Sequence, residues 1–304
     1  MYAAPCQILV HAGAHCTGSR DFQRFLAANR DPIGAAGYAL AYPGRDGAAG
    51  GTLDCPLPDP RHAETEIAGF GATLACRLEA VAPPGAGLRG LILSEHDLAG
   101  RMSDLLGGRF YPAAGLRAAA LRAALGRPVD RLVITLKPYD ALFLSSWRHF
   151  AVDRPIEPFA EYAPAMSGFL GGWVDTVAAL RDGLEATSVT ILTSRGQPDE
   201  VLTHLAPDAS PPAPVRPAPM PRVTDSAVAM AQRHFRQGAR FAPGQRDRLL
   251  AFHAHQPQSP SVHGFAGLPL ADLRGRYIAD LDTLARLPWV DMVGSALLPA
   301  MAAE

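Results

Sequence analysis

Short apolar runs alternate with longer stretches of helical period along this chain. That pattern lays strands side by side in a parallel sheet and covers them with helices. QILVHAG (7–13) predicts the first strand, and a helix follows over 19–29. GYALAYP (37–43) predicts a second strand that runs into a glycine-rich loop over 44–59. Residues 61–81 place Ile67, Phe70, Leu74 and Leu78 on one helical face. GLILSEHDL (90–98) begins as a third buried strand, and 113–125 is an alanine- and leucine-rich helix. DRLVITLKP (130–138) predicts the fourth strand, followed by helices over 139–150 and 168–184, and SVTILTS (188–194) the fifth.

The pattern then changes. PDASPPAPVRPAPMPR (207–222) carries seven prolines, which exclude both helix and inner strand and predict an extended surface loop or linker. Helical patterns resume over 224–238, 243–255 and 270–286. A chain of 304 residues that is 48% hydrophobic supports one α/β domain. We expect a parallel-sheet core over 1–206, the proline-rich loop, and a helical annex over 223–304.

A formal charge of −1 gives no general electrostatic attraction for nucleic acid or an anionic membrane. No apolar run approaches the roughly 20 residues that span a bilayer, so no transmembrane segment is expected. The sequence enters the first strand directly after Met1 and Tyr2 without a charged leader, which predicts a cytoplasmic protein. Cys6, Cys16, Cys55 and Cys76 form no C-x-x-C pair and are read as reduced thiols. His253, His255 and His263 lack a completing carboxylate or cysteine, so they are read as loop histidines and no metal is expected. Trp173 and Trp289 are read as packing residues. Among 28 basic residues only one, Lys137, is a lysine.

Chemistry concentrates first in residues 11–20. A strand, loop and helix in succession aim backbone N–H groups and the positive end of a helix dipole at one point. Gly13 and Gly18 have the spacing of the glycines in G-x-x-x-x-G-K-[ST], but Ser19 and Arg20 follow instead of lysine and a hydroxyl. Thr17 and Ser19 offer hydroxyls, and Arg20 a fork for phosphate or sulfate oxygens. An ordinary turn rich in small residues has the same glycine spacing. Cys16 near a helix N-terminus and Arg20 has the setting of a reactive thiol, or is an inert small replacement.

The longer stretch HAGAHCTGSRDFQRFLAANRD, followed by GYALAYPG, resembles the opening of bacterial P-loop sulfotransferase-like proteins. Their pattern is H-x-G-x-H-K-T-G-T-T-x-x-Q, then an Asn-Arg pair and a strand ending in Tyr-Pro. His11, Gly13, His15, Thr17, Gly18, Gln23, Asn29, Arg30, Tyr42 and Pro43 match it. Ser19 replaces the first threonine, Cys16 the lysine and Arg20 the second threonine. A second motif of that family is an arginine at a strand end with a serine eight residues on. LVITLKPYDALFLSSW puts Lys137 and Ser145 there. Fainter resemblances follow in LILSEHDL, in PRVTDSAVAMAQR, with Thr224 for an asparagine, and in LRGRYIADLDTLARL.

The resemblance implies a P-loop NTPase-like fold and 3′-phosphoadenosine 5′-phosphosulfate (PAPS) as sulfuryl donor. It implies that Gly13, His15, Cys16, Thr17, Gly18, Ser19 and Arg20 surround the 5′-phosphosulfate, and Lys137 and Ser145 the 3′-phosphate. Within that chemistry Glu95, at a central strand's carboxyl end, is the expected base, with His96 as second candidate. Arg20 is the expected stabiliser of leaving-group charge. The acceptor would be a hydroxyl or amine on a small molecule, glycan or lipid. The alternative is a degenerate relative that binds nucleotide or a partner without transfer. A P-loop kinase or hydrolase is disfavoured, because Ser19-Arg20 supplies neither the Walker lysine nor the hydroxyl that holds Mg²⁺. No motif encodes the acceptor or the oligomeric state.

Overall fold

The computed structural model describes residues 6–45, 47–193, 197–258 and 263–294. Met1, Tyr2, Asp46, Ser194, the 259–262 stretch between the loop histidines and residues 295–304 of the expected annex lie outside the described residues. The elements run β1 (Gln7–His11), α1 (Ser19–Ala28), α2 (Arg30–Ala35), β2 (Tyr38–Ala41), α3 (Glu64–Val81) and β3 (Gly90–Ser94). Next come α4 (Met102–Leu106), α5 (Ala114–Leu125), β4 (Arg131–Thr135), α6 (Tyr139–Ala151), α7 (Phe159–Ser167), α8 (Trp173–Leu184) and β5 (Ser188–Leu192). The chain closes with α9 (Pro198–Leu205), α10 (Asp225–Arg236), α11 (Gln245–Ala254), α12 (Gly267–Ala285) and β6 (Val290–Val293).

The strands form one six-stranded sheet in the order β2-β3-β1-β4-β5-β6, with every pair parallel. This is the expected α/β architecture, a helix-flanked parallel sheet of P-loop NTPase-like type. Alternation along each strand divides the core into two layers. Ile8, Val10, Leu91, Leu93, Leu132 and Ile134 join the larger layer with α5, α6 and α8. Leu9, Ile92 and Val133 turn the other way, onto Phe22, Phe25 and Leu26 of α1 and Val201 and Leu202 of α9. In α3, Leu74 and Leu78 are buried as the period requires, whereas Ile67 and Phe70 are only half-buried.

β1 to β5 fall inside the predicted ranges, and five elements were not anticipated. α2, α4 and α9 are too short to show a helical period, and α7 carries an internal proline, Pro164. β6 is a short, half-exposed edge strand paired to β5. It places residues from the stretch read as helical annex inside the sheet. The proline-rich segment is extended apart from one 3-10 turn, Pro207–Ala209, and lies along α1. The Asn29 amide exchanges two hydrogen bonds with the Val215 backbone, both 2.8 Å. Arg24 Nη1 donates to the Ala218 carbonyl and the Met220 N–H to Asp21 Oδ1, each at 2.8 Å. Among the described residues no helix is long and apolar enough to cross a membrane.

Candidate active site at the carboxyl edge of the sheet

β1 lies between β3 and β4, so the chain reverses its direction of travel across the sheet at this strand. Ligands of open α/β sheets bind in the crevice outside such a switch point. Each of the three segments predicted to carry chemistry emerges there: the 12–18 loop after β1, Glu95 and His96 after β3, and Lys137 after β4.

The β1 loop is pinned on both sides. The Glu95 N–H donates to the His11 carbonyl at 3.1 Å and the Thr135 N–H to the Gly13 carbonyl at 2.8 Å. Gly13 has φ +92°, and a Cβ there would stand 3.0 Å from the Cα of His96. The loop and the β3 segment therefore touch backbone to backbone. Gly18, at φ +102°, turns the chain into α1, whose first-turn N–H groups have no partner within the helix. Thr17 Oγ1 and Ser19 Oγ both donate to the Ala14 carbonyl, at 2.7 and 3.0 Å. In this structure the two predicted hydroxyl donors hold the loop's shape. Beneath them His11, Ser94 and the fully buried Gln23 form a polar network. Ser94 Oγ is 2.9 Å from His11 Nδ1, and Gln23 Nε2 donates to the Ser94 carbonyl at 3.1 Å.

Lys137 and Ser145 are brought together. Lys137 Nζ donates to Ser145 Oγ at 2.7 Å and reaches the Cys16 carbonyl at 3.5 Å. The Ser145 hydroxyl donates to the Ala141 carbonyl at 2.6 Å, so its free lone pair faces the ammonium. Trp173 Nε1 holds the Lys137 carbonyl at 3.0 Å, a role beyond simple packing. Cys16 is exposed with φ +58°, and its Sγ is 3.9 Å from Met102 Sδ. Arg20 is half-exposed and close enough to His96 for its charge to oppose protonation of that ring.

The β3 segment carries the other half of the site. Glu95 is buried beside an apolar wall of Leu53, Cys55, Leu57, Leu74, Leu93, Leu98 and Leu121. Burial there raises its carboxyl from the ordinary 4.5 to about 7, against the pull of Arg45. Arg45 Nη2 lies 2.6 Å from Glu95 Oε1 and 2.9 Å from Asp97 Oδ2, but it is 39% exposed and water weakens its effect. Glu95, His96 and Asp97 place ligand-type atoms within 4.8 Å of one another. Arg45 lies against both carboxylates. Burial lowers His96 from 6.5 to about 3, and its Nδ1 has no hydrogen-bond partner among the described residues.

His15 faces this segment. Its Nε2 is 2.7 Å from Asp97 Oδ1, and its Nδ1 is 3.1 Å from the Tyr111 hydroxyl. Burial alone would raise Asp97, but the bond from His15 and neighbouring positive charges outweigh it and hold the carboxylate ionised. His15 therefore donates from Nε2 to Asp97, and its Nδ1 shares a hydrogen bond with the Tyr111 hydroxyl. Its ring supports the Asp97 carboxylate.

Arg45, Asp97 and Tyr111 were not singled out in the sequence. Asp97 lies two residues beyond Glu95 and follows from the same strand end. Arg45 and Tyr111 come from loops whose path no spacing reveals. Of the histidines read as loop residues, His253 lies in the last turn of α11, with its Nδ1 2.9 Å from Ser226 Oγ, while His263 packs on Trp147 at 4.8 Å.

Comparison of the chain with protein-family models, curated proteins and solved structures finds no match in any of the three.

Proposed function

We propose that the protein binds PAPS and transfers its sulfuryl group to a hydroxyl or amine acceptor. The reading is supported above all by the Lys137 ammonium, which joins Ser145 Oγ at 2.7 Å and the β1 loop at the Cys16 carbonyl, 3.5 Å away. A ligand with two phosphate groups could address both the loop amides and this pair. The loop and the α1 N-terminus would hold the 5′-phosphosulfate, and Lys137 with Ser145 the 3′-phosphate. In transfer the acceptor oxygen or nitrogen forms a bond to sulfur, the bridging S–O bond breaks and adenosine 3′,5′-bisphosphate leaves. The acceptor proton passes to Glu95, whose raised pKa suits a base near neutrality. Arg20 would meet charge on the departing oxygen.

A second reading, a nucleotide-binding relative without transfer, is favoured by Cys16 in the lysine position. A thiol cannot supply the positive charge that a lysine there would bring to the bridging oxygen.

Calorimetric titration with adenosine 3′,5′-bisphosphate tests the binding common to both readings. Micromolar affinity in wild type, lowered at least about tenfold in Lys137→Ala and Ser145→Ala, is expected. Absence of binding at millimolar ligand refutes both. A sulfate-transfer assay over an acceptor panel then compares wild type with Cys16→Lys. Transfer by wild type that is lost in Arg20→Ala supports the enzyme, and transfer only by Cys16→Lys supports the second reading.

A further inference from the structure

β2 stands at one end of the sheet and pairs only with β3. Between β1 and β3, the Gln7 N–H donates to the Arg89 carbonyl at 2.9 Å and the Glu95 N–H to the His11 carbonyl at 3.1 Å. Leu91 and Leu93 therefore turn their backbone groups to β1, and Gly90 and Ile92 turn theirs to β2. The parallel register then engages Ala39 and Ala41 of β2. Tyr38 and Leu40 each aim an N–H and a C=O away from the sheet, and among the described residues no hydrogen bond reaches these outward groups. The strand sequence, YALA, has neither the charge nor the proline that commonly blunts an edge.

A cleft of about 340 Å³ lies against this edge. α2 contributes Arg30 and Gly34 to it, the end of α3 Ala80 and Val81, and the loop after β2 contributes Thr52. Two polar side chains stand among these small and apolar ones. Thr52 Oγ1 is buried and has no hydrogen-bond partner among the described residues. Arg30 Nη2 donates to the Tyr42 hydroxyl and the Gly50 carbonyl, both at 2.6 Å. Both acceptors are neutral, so no carboxylate among the described residues meets the Arg30 charge.

We propose that this cleft docks an extended, carboxylate-bearing peptide segment of a partner protein, which adds to β2 as a further strand. Donors and acceptors recurring at every second residue along an edge match the backbone of another strand. The guanidinium beside them selects a carboxylate. A second copy of this chain pairing through its own β2 would bring a strand without one. This site is independent of the donor-site reading of Lys137 and Ser145.

A phage-displayed library of random heptapeptides, selected on wild type and on Gly34→Phe, tests it. An added Cβ at Gly34 meets nothing within 4 Å, so Gly34→Phe fills the cleft and should keep the wild-type thermal midpoint. Peptides enriched on wild type should carry Asp or Glu and bind with micromolar affinity once synthesised. Binding should weaken at least about tenfold in Gly34→Phe, or when the acidic residue becomes its amide. Arg30→Gln should abolish the preference for acid over amide. In amide exchange followed by NMR, the bound peptide should protect the Tyr38 and Leu40 N–H groups, a readout that needs no variant. Enrichment equal on wild type and Gly34→Phe, or protection only at other amides, overturns the inference. So does protection of Tyr38 and Leu40 in a peptide-free dimer, which makes the edge a self-association site. An acidic dipeptide binding as tightly as the heptapeptide would make the cleft a small-carboxylate site and likewise overturn it.

Discussion

Glu95 owes its basicity to where it is buried, and Arg45 limits how far that burial acts. A base must be ionised to accept a proton, so kcat/KM for transfer should rise through pH about 7 and level above it. Removing the Arg45 charge in Arg45→Gln takes away a neighbouring positive charge that lowers the Glu95 pKa. The rising limb should then move to higher pH, and Glu95→Gln should remove it along with the activity. A limb that stays in place in Arg45→Gln would show that another group is the base. Glu95 was legible in the sequence because a carboxylate at a buried strand's end is conspicuous. Arg45 was not, since it arrives from a loop fifty residues earlier in the chain. The same holds for Thr17 and Ser19. Their presence could be read, but the turn of their hydroxyls onto the Ala14 carbonyl depends on loop torsions that residue spacing does not specify.

Among the helices, two glycines separate close packing from mere propensity. Gly183 in α8 faces α5, where an added Cβ would meet Ala118 Cβ at 2.6 Å and the Gly115 carbonyl at 2.9 Å. Gly275 in α12 has nothing within 4 Å of such a Cβ. Gly275→Ala should therefore stabilise by about 0.5–1 kcal/mol through helix propensity. Gly183→Ala should destabilise by about 1–3 kcal/mol, because helix separation outweighs the same gain. Denaturant midpoints measure both, and equal signs would refute the close α5–α8 contact. α5 was readable from its run of alanine and leucine, and β4 from its unbroken apolar run. β6 was not, because Val290 to Val293 is half-exposed and gains its strand geometry from β5. Lys137 and Ser145 were readable as a pair only through the family resemblance, whose motif sets a basic residue at a strand end eight residues before a serine on the next helix.

For the whole molecule, buried ionisable groups set an acid limit and oppose one another above it. His11 and His96 are held near 3 by burial, against 6.5 when exposed, so unfolding takes up protons below about 6.5 and acid favours the unfolded chain. Asp97, held below its ordinary 3.8, adds to that loss at lower pH. Glu95 has the opposite sign: its contribution is present below 4.5 and is lost as pH rises through about 7. Two histidines outweigh one glutamate between 4.5 and 6.5, so the thermal midpoint should climb over that interval and stop climbing near 7. A flat midpoint from 4.5 to 6.5 would show that the histidines are not buried as neutral rings. The parallel sheet also has a timetable. During synthesis the first five strands emerge long before Val290, and until then β5 presents an open edge to the cell. The nascent chain depends on its last described strand to close that edge. Stalled or clipped chains lacking β6 should accordingly be the ones that chaperones retain and that aggregate through β5.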